Sequence, residues 1–273
     1  GITYSDMEIN SILEDYKNGA VKTLPARDET GHGNEVAVIA CGRSGVASDA
    51  DILIVKLGNS GGNAYIRTTQ IMRGVDYCIR KAIEYSQPVV VNISYGGTYG
   101  NHEGGSIFEM FIDDCCSTYR CSICIGVGNE GEGRTLISGN VLDAELAIGD
   151  YEPQISIQIW KRAMDNARIE LIAPTGENLV ISDRNAGVVH HNIKNMRVIS
   201  KAYGPGPFYM GEEIYAAIVA TSGYITSGIW NIRFIAANVL DGFFNMWLPP
   251  VSTLSSATGF LRPSPEYTFT IPG

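Results

Sequence analysis

Pro88-Val89-Val90-Val91-Asn92-Ile93-Ser94-Tyr95-Gly96 is the stretch whose reading decides the fold. A proline opens a continuous β-branched run, and small and polar residues close it. A run of this kind reads as a strand buried on both faces, and such strands belong to parallel sheets. Upstream, Ile71, Val75, Cys78, Ile79, Ala82 and Ile83 recur at helical spacing over three turns. Before them Asp51–Leu57 is another apolar run, read as a strand, followed by a glycine-rich loop at Gly58–Asn63. Downstream, Ser94–Gly105 is a long loop with five glycines. Ser106–Tyr119 is helical, with Ile107, Phe108, Phe111 and Cys115 together, and Cys121–Val127 is a third strand ending at Gly128-Asn129-Glu130-Gly131. Residues 51–131 therefore read strand, helix, strand, helix, strand, which is a parallel sheet with crossover helices. In such sheets the functional loops lie at the carboxyl ends of the strands, here Gly58, Ser94 and Gly128-Asn129.

Ahead of this region stands Thr30-Gly31-His32-Gly33-Asn34-Glu35-Val36-Ala37-Val38-Ile39-Ala40-Cys41-Gly42. Val36, Ile39 and Ala40 follow the i, i+3, i+4 spacing of a short buried helix, with Thr30 as a plausible cap. A histidine at the mouth of a helix suits a general base. It suits equally a residue that only helps to cap the helix. Met7–Tyr16 reads as another short helix, with Ile9, Ile12 and Leu13 on one face.

After about residue 140 the pattern changes to short alternating strands, at Asp143–Ile148, Gln154–Trp160, Arg168–Ala173, Asn178–Ser182, Asn195–Ser200, Ile214–Ala220, Ile229–Ala236 and Phe243–Leu248. Turn signals such as Pro174-Thr175-Gly176 and Gly204-Pro205-Gly206 separate them. Long helical stretches are missing, as in a β-sandwich or jelly roll. From Pro249 the chain reads as loop again.

The 273 residues carry 20 basic and 29 acidic side chains, a formal charge of −9, and show no basic stripe, which argues against nucleic acid as a partner. No apolar run reaches membrane-spanning length, so no membrane partner is expected, and the start shows no signal-peptide pattern. The six cysteines read as reduced, buried thiols rather than a disulfide framework. Cys121 and Cys124 form a C-x-x-C that nothing else completes into a metal site. No cofactor and no metal are implied. His190-His191 on one strand would point to opposite faces. Trp160, Trp230 and Trp247 read as core residues, with a sugar-binding platform as the lesser alternative.

A Gly-His-Gly helix, then a strand ending Asn92-Ile93-Ser94-Tyr95-Gly96, then a strand ending Gly128-Asn129-Glu130-Gly131, is a specific ordered set. It resembles the subtilisin-like serine peptidases, across residues 28–140. The β-rich part and the loop Tyr99-Gly100-Asn101-His102-Glu103-Gly104 resemble the clostridial Csp-type branch. The implied fold is α/β: a partial subtilisin-like parallel sheet with crossover helices, plus an inserted all-β jelly-roll domain. The implied division is a partial peptidase domain over residues 1–140, a jelly roll over 141–250 and a return segment over 251–273. The implied reaction is hydrolysis of peptide bonds in a peptide or protein substrate through an acyl-enzyme. In it His32 is the general base and Asn129 the oxyanion donor. Ser94, Tyr95 and Gly96 are the edge that pairs with substrate. Csp-type relatives act in spores during germination, so the resemblance also implies a spore or secreted setting.

Several residues depart from the family pattern. Asn34 and Glu35 stand where the family places a hydroxyl residue and a second histidine, and Val38 replaces a glycine. No Asp-Thr/Ser-Gly motif precedes His32, because Asp6, Asp15 and Asp28 lack the strand and the glycine. No Gly-Thr-Ser-x-Ala motif follows, since Ser222-Gly223 and Ser227-Gly228 lack its context. The expectation is an internal fragment of a longer peptidase that is inactive alone. The rivals are a pseudopeptidase that binds a partner without cleavage, and an α/β binding module fused to a carbohydrate-binding β-sandwich.

Overall fold

The computed structural model describes residues 2–20, 28, 30–58, 67–129, 131–140, 143–183, 185, 187–207 and 210–264. The glycine-rich loop expected after Gly58 and the end of the return segment lie outside these residues. The chain divides into two compact units, residues 1–80 and 81–273.

In the first unit, helix α1 (Asp6–Lys17) starts from a reciprocal cap in which the Ser5 and Glu8 side chains each accept from the other's backbone N–H. Helix α2 (His32–Cys41) carries the histidine. The expectation that α2 is buried is corrected: none of its residues is buried, and Val38 and Ile39 are exposed. Its i, i+3, i+4 pattern marks an apolar face, but a pattern cannot supply the surface that covers it. Helix α3 (Thr68–Glu84), of which residues 68–80 belong to this unit, buries Ile71, Val75, Cys78 and Ile79, as its spacing requires.

Asp51–Leu57 is corrected too: it joins no ladder among the described residues. Val55 and Leu57 are half-buried and alternate toward α3 instead. A Cβ on Gly74 of α3 would meet Leu57 Cδ2 at 3.0 Å, so glycine permits the close approach. Gln70 Nε2 then donates to the Leu57 carbonyl (3.3 Å). An apolar run specifies burial, and here a helix supplies part of it.

In the second unit, β1 (Val89–Ile93) and β2 (Cys121–Ile125) pair in parallel, in register Val89↔Cys121 to Ile93↔Ile125, joined through helix α4 (Ile107–Thr118). Helix α4 lies against β2. It begins at a capping box, in which Ser106 Oγ accepts from Glu109 N and the Glu109 carboxylate accepts from Ser106 N (2.6 Å). The same carboxylate accepts from Gly104 N (3.2 Å), which ties the preceding loop to the helix.

Among the described residues, the rest of the unit forms eleven strands in two sheets. They are β3 (Leu136–Gly139), β4 (Asp143–Ile148), β5 (Gln154–Arg162), β6 (Asn166–Ile172), β7 (Asn178–Val180), β8 (Val189–Ile193), β9 (Met196–Tyr203), β10 (Gly211–Ala220), β11 (Gly228–Asn238), β12 (Phe244–Trp247) and β13 (Gly259–Phe260). One sheet has the order β3-β12-β5-β10-β9-β8, the other β13-β4-β11-β6-β7, and all their pairings are antiparallel. Ile155, Ile157 and Ile159 of β5 oppose Ile218, Ala216 and Ile214 of β10. They share one apolar cluster with Leu146, Ile169, Leu171, Trp230 and Ile232 of the other sheet. Each such side chain contributes about 1.5–3 kcal/mol by leaving water. Residues 251–264 stay with the sheets. Phe260 is fully buried in the cluster, and the buried Glu152 accepts from Ser255 N and Thr258 Oγ1 (both 2.6 Å).

Two buried charges close one end of β5. Lys161 Nζ meets the Glu212 carboxylate of β10 at 2.6 Å, with both side chains 1% exposed, and also donates to the Asp165 carbonyl (2.5 Å). The Asp165 carboxylate accepts three backbone N–H groups, from Leu240 (2.7 Å), Asp241 (3.0 Å) and Gly242 (2.9 Å). Desolvation pushes its carboxyl upward, but these donors and Lys161 outweigh it and hold it below the usual range.

Glu212→Ala strands the Lys161 charge and is expected to cost about 3–5 kcal/mol in urea denaturation. Removal of Asp76 from the exposed Asp76–Arg80 pair (2.9 Å) should cost under about 0.5 kcal/mol. Because folding lowers the Asp165 pKa, its contribution is complete above the unfolded value near about 3.9 and is lost as pH falls through the folded value. Urea midpoints at neutral pH and near about pH 2.5 should therefore diverge more for the natural chain than for Asp165→Asn.

Candidate active site

His32 is the first residue of α2, and Gly31 is its N-cap, in the left-handed conformation (φ 82°). Thr30 is therefore not the cap, in correction of the sequence reading. Gly31 has no side chain to satisfy the free N–H groups of the first turn. Asp28 does so instead. Its Oδ2 accepts from Asn34 N (2.8 Å), the third helical position, and its Oδ1 accepts from Gly31 N (3.0 Å), Thr30 N (3.1 Å) and Thr30 Oγ1 (3.2 Å). The Thr30 hydroxyl in turn accepts from the N–H of His32 itself (3.4 Å). The Asn34 N–H holds the Asp28 carboxyl below the ordinary carboxylate range against desolvation, with smaller help from the Gly31 and Thr30 N–H groups and the Thr30 hydroxyl. His32 itself is exposed.

In the second unit, the parallel pairing brings two of the expected site segments to one sheet end. Ile93 faces Ile125, and Gly126 N donates to the Ile93 carbonyl (3.1 Å), so the chain leaves β1 and β2 at the same level. Ser94-Tyr95-Gly96 follows directly from β1, is exposed, and begins with Ser94 Oγ accepting from Asn92 Nδ2 (2.9 Å). Gly126-Val127-Gly128-Asn129 follows from β2, also exposed. Gly128, not Asn129, takes the left-handed conformation here (φ 90°). Asn129 thus has no need to be asparagine for the turn.

The loop after the expected substrate edge is fastened at four points to the outer face of the six-stranded sheet. Thr98 Oγ1 donates to the Leu248 carbonyl (2.7 Å), and Tyr99 OH donates to Glu213 Oε1 (3.0 Å). Gly100 N donates to Gln158 Oε1 (3.3 Å), and the His102 ring stacks on Trp247 at 4.0 Å. His102, with φ 55°, is half-buried rather than solvated. Burial pushes its imidazole pKa down, against the Thr98 carbonyl and Glu109. Burial, then the Glu213 charge, pushes the Tyr99 phenol up, which keeps it a donor. Glu213 is pushed up by burial, with the Tyr99 hydrogen bond opposing.

Trp160, Trp230 and Trp247 are 9%, 0% and 3% exposed, so they form no sugar platform. All six cysteines are free thiols. Cys78 and Cys115 are buried, but Cys116 and Cys124 are exposed, in correction of the expectation of buried thiols. On β2 the C-x-x-C spacing sends Cys121 and Cys124 to opposite faces. Among the described residues no group of His, Cys, Asp and Glu is arranged to hold a metal ion, and no helix is long and apolar enough to cross a membrane.

Residues 1–135 match the model of the Subtilase family. That match spans just under half of the chain. Over its full length the chain also matches the structure of the Clostridium perfringens CspB protease, with a TM-score of 0.87 and 30% identity, and covers 58% of that protein. A subtilisin-like protease of Coccidioides posadasii (strain C735) is 36% identical over 75 residues, which are 26% of this chain and 18% of that protein. The chain thus spans little more than half the length of the CspB protease, and the likeness includes the two β-sheets.

Glu213→Gln keeps an acceptor for Tyr99 and removes the titration. A carboxyl whose pKa rises on folding stabilises the fold below its unfolded value and loses that contribution as pH rises through the folded value. The variant should therefore be more stable than the natural chain at pH 7 and no more stable at pH 4, in thermal unfolding at both pH values.

Proposed function

We propose that this chain is the central part of a subtilisin-like serine endopeptidase that hydrolyses peptide bonds through an acyl-enzyme. The observation that carries the reading is the full-length match to the CspB protease together with the Subtilase match over residues 1–135. In this reading His32 takes the proton from the serine nucleophile and returns it to the leaving amine. The Asn129 amide stabilises the oxyanion of the tetrahedral intermediate. Its exposure at the carboxyl end of β2, and the fact that Gly128 makes the turn, support that role. Ser94, Tyr95 and Gly96 pair with substrate as an added strand, supported by their exposure at the neighbouring strand end.

The aspartate and the serine of the mechanism belong, in this proposal, to further parts of a longer protease. The 58% coverage of the CspB protease supports this, as do large exposed apolar side chains at Ile39, Val46, Ile54 and Val90. We also propose that the β-rich part is a jelly roll inserted into the peptidase, with β3 and residues 251–264 counted to the jelly roll because they pair and pack with its sheets. The strand order supports this: β3, β5, β10 and β12 in one sheet and β4, β6, β7 and β11 in the other, with the chain passing repeatedly between the two.

In the full-length protease, His32→Ala should lower kcat by at least about 10⁴-fold and Asn129→Ala by about 10²–10³-fold with KM little changed. The isolated chain should not react with a fluorophosphonate. Labelling of a serine within it would overturn the proposal, and a full-length protein that binds peptide without turnover would favour a pseudopeptidase.

A further inference from the structure

Asp28 lacks the strand and the glycine expected of the catalytic acid, yet its carboxylate makes four hydrogen bonds at the mouth of α2. We propose that Asp28 is a positioning residue for His32, fixing the Gly31-His32 turn and the first helical turn so that the imidazole is presented in one orientation. The inference rests on the reading of His32 as the general base.

The geometry is specific. A capping side chain normally comes from the N-cap residue and accepts from the second or third helical N–H. Here the N-cap is Gly31, whose φ of 82° turns the chain into the helix but leaves no side chain to cap it. Asp28 reaches forward to the third position, Asn34 N, with one oxygen. With the other it gathers the Gly31 and Thr30 amides and the Thr30 hydroxyl. That hydroxyl accepts from His32 N, so one carboxylate orders the backbone on both sides of the histidine. The negative charge is also matched to the positive end of the helix. A general base must be held within hydrogen-bond reach of its proton. A small misplacement of such a group costs rate without costing substrate binding.

The test compares Asp28→Ala, Asp28→Asn and His32→Ala in the full-length protease, with relaxation of the His32 ring 13Cε1 measured in the 273-residue chain. Asp28→Ala should lower kcat about 10- to 100-fold with KM within about two-fold, and should raise the mobility of the His32 ring. Asp28→Asn keeps an acceptor oxygen and should recover most of both. An unchanged kcat and ring mobility in Asp28→Ala, beside an inactive His32→Ala, overturns the positioning role and leaves His32 as base. Equal losses in kcat and KM with no recovery in Asp28→Asn also overturn it, as a merely structural contact would behave so. Activity retained by His32→Ala overturns the base reading, and this proposal with it. If the full-length protein does not turn over, the ring mobility alone decides.

Discussion

The second unit depends on a six-stranded sheet whose outer face is covered at β5 and β12. In β5 the side chains of Ile155, Ile157 and Ile159 enter the shared apolar core, while Gln158 and Trp160 on the other face lie among Leu136, Trp247 and the Thr98–His102 loop. Antiparallel sheets commonly leave one face to water. Here the outer face carries two tryptophans and a glutamine, and the loop that covers it leads directly from the exposed end of β1. The geometry of the proposed substrate edge is thereby tied to the β-rich half of the chain through contacts 58 to 150 residues apart in sequence.

Polar groups in this unit are used as fasteners rather than as chemistry. Glu109, Glu152, Asp165 and Glu212 are all buried, and each carboxylate takes up backbone N–H groups, a hydroxyl or the Lys161 ammonium. A buried carboxylate without partners is costly, so Glu152, Asp165 and Glu212 tie together segments distant in sequence, while Glu109 ties a loop to the helix that follows it. The residues proposed for catalysis and for substrate pairing are the opposite case. His32, Ser94 and Asn129 are exposed at a helix start and at two strand ends, where backbone geometry rather than burial presents them.

The two units differ in how far they satisfy their own side chains. The sheets of the second unit bury Trp230, Phe260, Leu146 and a row of isoleucines completely. In the first unit α1 and α2 bury no residue, although their apolar spacing is regular. This contrast accords with a peptidase segment whose apolar faces meet further chain, as proposed above.

The sequence by itself determined the helix of residues 68–84, the strands at 89–93 and 121–125 with a helix between them, and eight strands of the β-rich region, because burial periodicity is a local property. The motif order also led to the subtilase resemblance. Three features needed the tertiary structure. The run Asp51–Leu57 has the composition of a strand but no ladder, since pairing requires a partner backbone that composition does not name. Strand β8 reads Val-His-His-Asn-Ile and is held by pairing with β9, not by propensity. In the sequence Asp28 lacks the strand and the glycine of a catalytic acid, and its residue type alone does not mark it as a cap. Its carboxylate reaches the amide of Asn34 only because the left-handed turn at Gly31 brings the chain back onto it.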